Sequence, residues 1–277
     1  MTGTDRQISG MRRSAKRHHS KKRIALRIMV VACAAAAASA LARPGQSAPS
    51  CEAASTSHRV ALLELYTSEG CNSCPPADRF LRLLTARGLD SGKVVALAFH
   101  VDYWDSLGWP DRFASPAFAA RQRSAADRSG ARFVYTPQFL LDGRDLAHGW
   151  ASKDFVAKVH AINRQPASAN LGISQRLEGD TLHVTVSTSV APASTVDLFV
   201  AVLESGLSSE VKAGENSGRL LEHDHVVRVL EGPLPARAVS IRLPLQWDRK
   251  RLAVAVFLQE RASGRVLQAL AAPLCSG

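Results

Sequence analysis

The feature that most constrains this chain is a Cys-x-x-Cys motif, Cys71 to Cys74, at the junction of two patterned segments. Residues 60–66 form an apolar run that predicts a buried strand. A helix is predicted over residues 71–87, with amphipathic apolar spacing from residue 78 onward. A thiol at a helix N-terminus ionises readily, because unpaired N–H groups and the positive end of the helix dipole stabilise the thiolate. The two-residue spacer places Cys74 one turn further on, where it can attack a mixed disulfide at Cys71.

Three interpretations of this motif stay open on these residues alone. The first is thiol–disulfide exchange, which the order of strand, motif and helix favours. The second is half of a zinc site, although the sequence contains no second Cys-x-x-Cys motif. The third is an inert local disulfide. Other segments of the chain therefore have to distinguish between them.

The amino-terminal segment has the order of a secretory signal. Residues 1–27 carry nine basic residues against one acidic residue, and an alanine-rich apolar run follows at residues 28–42. This run is too short and too rich in alanine to predict a membrane span. A lipoprotein-like box ends at Cys33, but more apolar chain follows it, so ordinary cleavage near Ala42 is favoured. We therefore expect a periplasmic or secreted protein with no stable membrane span after cleavage.

This basic leader accounts for most of the net charge. The whole chain has a formal charge of +11 at pH 7, from 35 Lys and Arg against 24 Asp and Glu. Without the leader's nine basic residues and one acidic residue, 26 basic residues face 23 acidic ones, which leaves +3. A nearly balanced chain gives no reason to expect a nucleic-acid partner.

Signal cleavage also changes the cysteine count. Cys33 is lost, and four cysteines remain, an even number that fits two disulfides in an exported protein. If Cys71 and Cys74 form the local pair, Cys51 and Cys275 are left for each other. We predict a structural disulfide between these two, near opposite ends of the mature chain, with an entropic stabilisation of up to ~4–5 kcal/mol.

Two polar features lie on the predicted strands before and after the motif helix. Glu64 interrupts the first apolar run, and a buried carboxylate is costly unless it has a partner or a role. It is either a buried acid that takes a proton from Cys74 or a strand-end residue bonded to backbone. Asp102, Tyr103 and Trp104 follow the second apolar run, at the strand end where ligands of α/β sheets bind. We predict that they wall the site, with aromatic packing under a loop as the alternative.

The rest of the first half alternates between helix and strand. Residues 111–129 and 151–164 have helical apolar spacing. Residues 133–141 read as a strand with Pro137 just before its apolar half, and Asp142-Gly143 predicts a hairpin turn after it. Because a proline cannot donate to a central ladder, its place in this strand needs a special reason.

This order of elements resembles the thioredoxin fold over residues 58–165. More narrowly, the chain is similar to an uncharacterised family of exported bacterial proteins with a thioredoxin-like domain. The segments that carry this narrower resemblance are Leu65-Tyr66-Thr67-Ser68-Glu69-Gly70-Cys71-Asn72-Ser73-Cys74-Pro75-Pro76-Ala77-Asp78, His100-Val101-Asp102-Tyr103-Trp104, Tyr135-Thr136-Pro137-Gln138 and Gly214-Glu215-Asn216-Ser217-Gly218-Arg219.

The resemblance to thioredoxins implies roles for several residues. Cys71 would be the attacking thiol, Cys74 the resolving thiol and Pro137 a cis-proline beside them. A cis bond would leave the Thr136 backbone free to pair with a bound substrate chain. Glu64 would take the place of the buried acid, one residue further from the first cysteine than usual. No tryptophan precedes Cys71, and the spacer does not indicate whether the pair oxidises, reduces or isomerises.

The second half has a different pattern. After a linker at residues 166–170, several short alternating runs separated by Gly and Pro turns, one of them a single strand over residues 220–230, predict a β-sandwich. His223 and His225 would share one face of a strand, which allows a metal site, although surface residues are the commoner outcome of such spacing. The loop at residues 214–219 could reach towards the redox domain, since exposed Asn and Arg in a glycine turn often serve a ligand.

The sequence therefore predicts four segments: a signal peptide over 1–42, a tether over 43–57, an α/β thioredoxin-like domain with a mixed sheet flanked by helices over 58–165, and an all-β sandwich-like domain over 170–277. The predicted function is thiol–disulfide exchange on a protein substrate. The alternatives are a non-catalytic binding or assembly module, and copper or zinc handling by the thiols with His100 or with the paired histidines. No nucleotide, flavin or phosphate motif is present, so no organic cofactor is expected.

Overall fold

The chain is a mixed α/β protein whose secondary structure is mostly strand. The computed structural model describes residues 50–190 and 195–275. The predicted signal peptide, with Cys33, and residues 43–49 of the tether lie outside these ranges. In the described part of the chain no helix is long and apolar enough to cross a membrane. The α-helices of this part are α1 (Pro75–Arg82), α2 (Pro116–Ser129) and α3 (Phe155–Asn163).

The strands are numbered in chain order. They are β1 (Cys51–Ala54), β2 (Ala61–Thr67), β3 (Val94–His100), β4 (Gln138–Leu141), β5 (Arg144–Asp145), β6 (Leu171–Glu178), β7 (Thr181–Thr188), β8 (Val196–Glu204), β9 (Leu207–Glu210), β10 (Leu220–His223), β11 (Val226–Glu231), β12 (Ala238–Arg242), β13 (Leu252–Glu260) and β14 (Val266–Pro273).

An eight-stranded sheet runs through both halves of the chain, in the order β14-β13-β8-β11-β3-β2-β4-β5. Strands β2 and β3 are parallel, and β4 pairs antiparallel with β2. The two halves meet where β11 pairs in parallel with β3, at Val226 and Ala98, while its other edge pairs antiparallel with β8. The predicted division into two separate domains stays a prediction, and this sheet is what joins the two segments.

Strand periodicity assigns the two faces of β2 to different helices. Successive side chains of a strand point to opposite faces. Leu63 and Leu65 pack with Phe80 of α1, whereas Leu62 and Tyr66 lie with α2 in a second core. Because α1 begins directly after the motif, the cysteines belong to the Leu63 and Leu65 face. This division decides which buried groups can act on the thiols.

A four-stranded sheet in the order β1-β6-β7-β12 covers another part of the eight-stranded sheet. Its inward residues, such as Ile173 and Val184, share one core with Val200 of β8 and Val254 of β13. Ala201, which follows Val200 on β8, points to the opposite face and lies in the core on the α2 side. Strand β8 is buried along its whole length because both of its faces are covered.

The structure contains both disulfides that the cysteine count predicts. Cys51 on β1 and Cys275, just after β14, have Cα atoms 5.6 Å apart and close a loop with a sequence separation of 224 residues. Gln175 of β6 lies between these ends, since it pairs with Cys51 in the ladder and its side chain donates to the Pro273 carbonyl at 2.7 Å. The bridge therefore fastens the edge of one sheet to the last strand of the other.

Replacing Cys51 and Cys275 by alanine should lower the free energy of unfolding by about 2–4 kcal/mol, because the unfolded chain regains the entropy of a very long loop. Measured losses usually fall below the full chain-entropy value. Urea titration under non-reducing conditions measures this change. Alanines at Cys71 and Cys74, which close a loop with a separation of only three residues, should cost less. Equal stability of the Cys51 and Cys275 variant and the native protein would show that the bridge is not structural.

Candidate functional site

The motif lies in a tight turn between β2 and α1. The Cys71 N–H donates to the Ser68 carbonyl and the Cys74 N–H to the Cys71 carbonyl, both at 3.2 Å. Helix α1 begins at Pro75, so the predicted helix start at Cys71 is wrong by four residues. Prolines at the first helical positions have no N–H to donate, which is harmless where the helix has no partner for it. Cys74 is the N-cap residue of α1, and its carbonyl accepts from the Ala77 N–H at 2.8 Å.

The two cysteines form a disulfide and are both fully buried. Their Cα atoms lie 5.5 Å apart, and neither residue has exposed surface. The Ser73 hydroxyl lies 3.3 Å from the Cys71 sulfur. A second molecule can therefore reach the sulfurs only if a neighbouring group moves.

That neighbouring group is the loop at residues 211–219, here called the cover loop, which joins β9 to β10. The buried side-chain amide of Asn216 donates to the carbonyls of Glu69 and Cys71, both at 2.9 Å. The Glu215 carboxylate accepts from the Asn72 N–H at 3.1 Å. Arg219 donates to the Asn216 amide oxygen at 2.7 Å and so fixes its orientation. The second half of the chain thus holds the backbone on both sides of Cys71.

Beneath the motif lie five buried titratable residues, here called the buried charge cluster. Each of them is at most 7% exposed: Glu69, Asp78, His100, Asp111 and His223. They come from five separate elements or connections, and His223 lies on β10, directly after the cover loop. Such a concentration of ionisable groups away from water is unusual outside functional sites.

The first contact within this cluster joins His100 to Asp111. His100 Nδ1 lies 2.6 Å from Asp111 Oδ2, which also accepts from the Glu69 N–H at 2.8 Å. Burial disfavours the charged form of both groups, but their mutual attraction outweighs it. The pKa of His100 is raised and the pKa of Asp111 is lowered. Each group therefore favours the charged form of the other, an imidazolium beside a carboxylate.

Glu69 is held in its charged form in the same way. Burial alone would raise its pKa, but the neighbouring polar side chains of His223, Ser209 and Trp109 lower it. His223 Nε2 lies 3.2 Å from one carboxylate oxygen, and Trp109 Nε1 donates to the other at 2.8 Å. Trp109 also packs against Gly214 of the cover loop, where an added Cβ would lie 3.3 Å from the tryptophan Cβ.

The pKa of Asp78 is shifted in the opposite direction to that of Glu69. Burial raises its pKa, and the opposing charges of His223 and His100 do not cancel that effect. Its side chain accepts from the Thr67 hydroxyl at 3.3 Å, between α1 and the sheet. Asp78 lies four residues after Cys74 in the same helix, and side chains at that spacing are neighbours. It is the carboxyl of the cluster that is suited to hold a proton.

Glu64 does not lie beneath the cysteines, so its predicted role as proton acceptor for Cys74 is wrong. It shares the α2 face of β2 with Leu62 and Tyr66, and its carboxylate bonds Arg121 of α2 at 2.7 Å. The Arg121 guanidinium lies over the ring of Phe199, 4.8 Å from its centroid. Glu64 is therefore the anion of a buried ion pair on the other side of the sheet.

Trp104 connects the motif to the predicted proline segment. Its ring N–H donates to the Thr136 hydroxyl at 2.8 Å, and an added Cβ on Gly70 would lie 3.1 Å from its own Cβ. The Thr136–Pro137 peptide bond is cis. Trp104 and Thr136 are therefore joined beside the turn that carries Cys71, and the role of Trp104 in walling the site stays a prediction.

The other two residues of the predicted wall, Asp102 and Tyr103, have different surroundings from those of Trp104. Tyr103 donates to the Gln122 side chain at 3.2 Å and remains 36% exposed. Among the described residues, Asp102 forms no hydrogen bond or ion pair with the motif, and it is half-buried. The structure thus brings Trp104 to the turn, leaves Tyr103 open to solvent near Gln122, and does not connect Asp102 to the cysteines.

The family to which this architecture belongs follows from comparison with known proteins. A family model described as "Protein of unknown function (DUF1223)" matches residues 62–259, a range that contains both motif cysteines, the buried charge cluster and the cover loop. The chain belongs to the DUF1223 family. No curated protein matches its sequence.

Two solved structures resemble this DUF1223 chain. The protein AGR_C_4864 from Agrobacterium tumefaciens is 30% identical and aligns with 80% of this chain and 97% of its own, with a TM-score of 0.57. The structure of HBP35 of Porphyromonas gingivalis is 15% identical and aligns with 79% of this chain and 76% of its own, with a TM-score of 0.56. The second likeness concerns the fold alone.

The paired histidines of this DUF1223 chain do not share a strand face. Strand β10 ends at His223, and His225 lies in the turn before β11 with a φ of 58°. The interpretation of both as surface residues is also wrong, because His223 is 2% exposed and its Nε2 lies 3.2 Å from the Glu69 carboxylate. Within residues 50–190 and 195–275, no group of three or more His, Cys, Asp or Glu side chains is arranged to hold a metal ion.

Sequence reasoning missed most of the groups beneath the disulfide. Asp111 was assigned only to a helix, and Asp78 stood only within the motif that carries the family resemblance. A usable signal for Asp78 was its place four residues after Cys74, on the face of α1 that carries Leu81 and Ala77. The loop at residues 214–219 does reach the motif as predicted, but Asn216 is buried rather than exposed, and no local signal indicates that it bonds the Cys71 carbonyl, 145 residues away in sequence.

Proposed function

We propose that this protein is an exported thiol–disulfide oxidoreductase that acts on protein substrates through Cys71 and Cys74. The observation that carries the proposal is a Cys-x-x-Cys disulfide at the start of a helix whose next turn bears a buried acid with a raised pKa. This arrangement supplies a nucleophile, a second thiol that releases the substrate from it and a proton acceptor in one place.

The arrangement of elements around the motif supports a thioredoxin-like domain. Strands β3, β2, β4 and β5 are neighbours in that order, and β4 is antiparallel to β2. Helices α1 and α3 pack on one face of β2 and α2 packs on the other. Two disulfides in one chain support an oxidising compartment, so the proposed location is the periplasm or outside the cell.

In the proposed reaction the Cys71 thiolate attacks one sulfur of a substrate disulfide. A bond forms between Cys71 and that sulfur, and the other substrate sulfur leaves with the electron pair of the broken bond. The Cys74 sulfur then attacks Cys71 and releases the second substrate thiolate, while Asp78 accepts the Cys74 proton. The substrate gains two electrons and the cysteine pair loses two. The reverse sequence oxidises a substrate dithiol.

Substrate binding is assigned to the surface beside the cis bond. Thr136 is half-buried, and Trp104 and Tyr103 lie nearby. Phe133, three residues earlier in the same segment, is 73% exposed, an unusual position for a large apolar ring. A polypeptide that pairs with the backbone at Thr136 would cover these rings.

A second candidate function is a binding or assembly module in which Cys71–Cys74 is only structural. The observation that favours it is the complete burial of both sulfurs under the cover loop. A redox enzyme of this design has to open the cover loop during turnover, whereas a binding module does not. The two candidates therefore differ in whether the disulfide can be reduced under the conditions of the compartment.

The reduction potential of the Cys71–Cys74 pair tests the proposal. Equilibration of the purified protein in glutathione buffers, followed by thiol alkylation and mass mapping of the motif peptide, measures it. We expect a value between about −270 and −120 mV, the range of working thiol–disulfide couples. A value well below about −300 mV would mark a bridge that the compartment never opens, and the binding module would then be the better account.

A further inference from the structure

The position of the arginines around α1 indicates what part of a substrate this site recognises. A cleft of about 420 Å³ lies between α1 and β10 and is lined by Pro75, Asp78, Arg79, Arg82, Arg219 and Leu220, among others. This volume falls within the range of small-ligand sites, about 300–1,000 Å³. We call it the arginine cleft.

The arginine cleft has an excess of positive charge. Arg82 is neutralised by Glu222, with Asp224 3.6 Å from its Nε. Arg219 bonds only the neutral amide oxygen of Asn216. Arg79 is exposed and forms no ion pair within the described residues. Two guanidinium groups of one cleft therefore lack a counter-charge.

Neither acid of the cleft compensates for them. Asp78 is buried and accepts from the Thr67 hydroxyl at 3.3 Å, and Glu222 is already paired with Arg82. Two leucines add apolar surface at the mouth, since Leu83 is 38% and Leu220 is 64% exposed. The complementary ligand carries carboxylates beside an apolar side chain.

The arginine cleft is adjacent to the redox site at two points. Pro75 and Asp78 belong to the helical turn that follows Cys74. Arg219 bonds Asn216, and the Asn216 amide holds the Cys71 carbonyl. A carboxylate that pairs with Arg219 competes with its bond to Asn216. Ligand binding in this cleft would therefore weaken the hold of the cover loop on the motif.

We propose that the arginine cleft is a substrate subsite that binds an acidic, partly apolar segment of a disulfide-bearing polypeptide. The inference rests on the proposed function and adds to it a class of substrate. It also connects substrate binding to opening of the cover loop, because the same arginine serves both.

The test uses two disulfide-linked peptide dimers that differ only in charge. One carries two glutamates and a leucine next to its cysteine, and the other carries two glutamines instead. The reduced protein is mixed with each dimer, and oxidation of the Cys71–Cys74 pair is followed by thiol alkylation. Rates are divided by those of dithiothreitol with the same dimers, which removes differences in intrinsic reactivity. We expect the glutamate dimer to react about three- to tenfold faster, since each exposed ion pair contributes up to about fivefold.

The matched variants are R79A with R219A, and R164A with R237A. Both pairs remove two positive charges, but Arg164 and Arg237 are exposed residues that do not line the cleft. The first pair should reduce the preference for glutamate to less than about twofold, and the second should leave it unchanged. The single variant R79A, which leaves the Asn216 bond intact, should remove part of the preference. About 1 M salt should also remove it, since charges are then screened within about 3 Å.

Binding of the same peptides with serine in place of cysteine reports the cleft without a redox step. Titration calorimetry with the oxidised protein should give the same preference for glutamate and the same loss in R79A. If both dimers react equally, or if both variant pairs behave alike, the subsite is refuted while the oxidoreductase stands. If neither dimer oxidises the cysteine pair but the serine peptides still show the preference, the proposed function fails and the cleft remains a binding site.

Discussion

Replacing Cys71 by serine should abolish turnover while leaving the fold intact. A hydroxyl is not ionised at neutral pH, so it cannot supply the nucleophile that a thiolate supplies. When turnover is measured as the reduction of an artificial disulfide, the rate should fall to that of the uncatalysed reaction. Cys74→Ser should behave differently, since attack by Cys71 is still possible and a mixed disulfide at Cys71 should accumulate. Mass spectrometry of the trapped species measures this second outcome.

The other disulfide supplies the matched control. Serines at Cys51 and Cys275 make the same chemical change far from the site and should retain turnover below the lowered unfolding temperature. Circular dichroism of Cys71→Ser shows whether its fold is unchanged. Native turnover by a folded Cys71→Ser protein would refute the oxidoreductase, and unchanged capture of a partner by the same variant would favour the binding module.

The parts of the fold that could be predicted are those with local patterns. The apolar runs at residues 60–66 and 94–99 became β2 and β3 because a strand covered on both faces needs apolar residues throughout. The run at residues 220–230 was predicted as one strand, but a turn at Asp224 and His225 divides it into β10 and β11. Four acidic and histidine residues in a row, 222–225, gave no local sign of that turn.

The connection between the two halves had no local pattern at all. It depends on the pairing of Val226 with Ala98, more than a hundred residues apart in sequence. A buried strand such as β8 has the same apolar sequence pattern whether its sheet continues into another segment of the chain or ends there. Register between distant strands is set by tertiary packing, which a single sequence does not display.

The site divides in the same way. Cys71, Cys74 and the Thr136–Pro137 segment could be found because each belongs to a short motif. The predicted place of Glu64 was wrong because burial alone does not fix the face of a strand, whereas the period of two puts Glu64 on the α2 face with Arg121. Asn216 needed the long-range packing of β10 against α1 before it could be placed over the motif.

Asp78→Asn should slow the resolving step by about a hundredfold or more, within the range of general acid–base catalysis, about 10²–10⁴-fold. Asparagine keeps the shape and can still accept from the Thr67 hydroxyl, but it cannot take the Cys74 proton. The rate of release from the mixed disulfide, measured by rapid mixing across pH, should become dependent on hydroxide in the variant. Glu64→Gln removes a buried carboxylate from the other face of β2 and should leave this pH profile unchanged. Equal slowing by both substitutions would mean that the effect is structural.

The same two variants should move stability in opposite directions. The folded-state pKa of Asp78 lies above its ordinary value of 3.8, so the folded protein holds that proton more tightly than the unfolded chain. The contribution of the aspartate is therefore fully present below pH 3.8 and is lost as the pH rises through the folded-state pKa. At neutral pH Asp78→Asn should raise Tm, by about 2–4 °C for each kcal/mol gained, and this gain should vanish in acid. Glu64→Gln should lower Tm, because Arg121 would be left as a buried charge without its partner. A substitution that stabilises the protein while it slows the reaction would show that Asp78 is kept for chemistry rather than for folding.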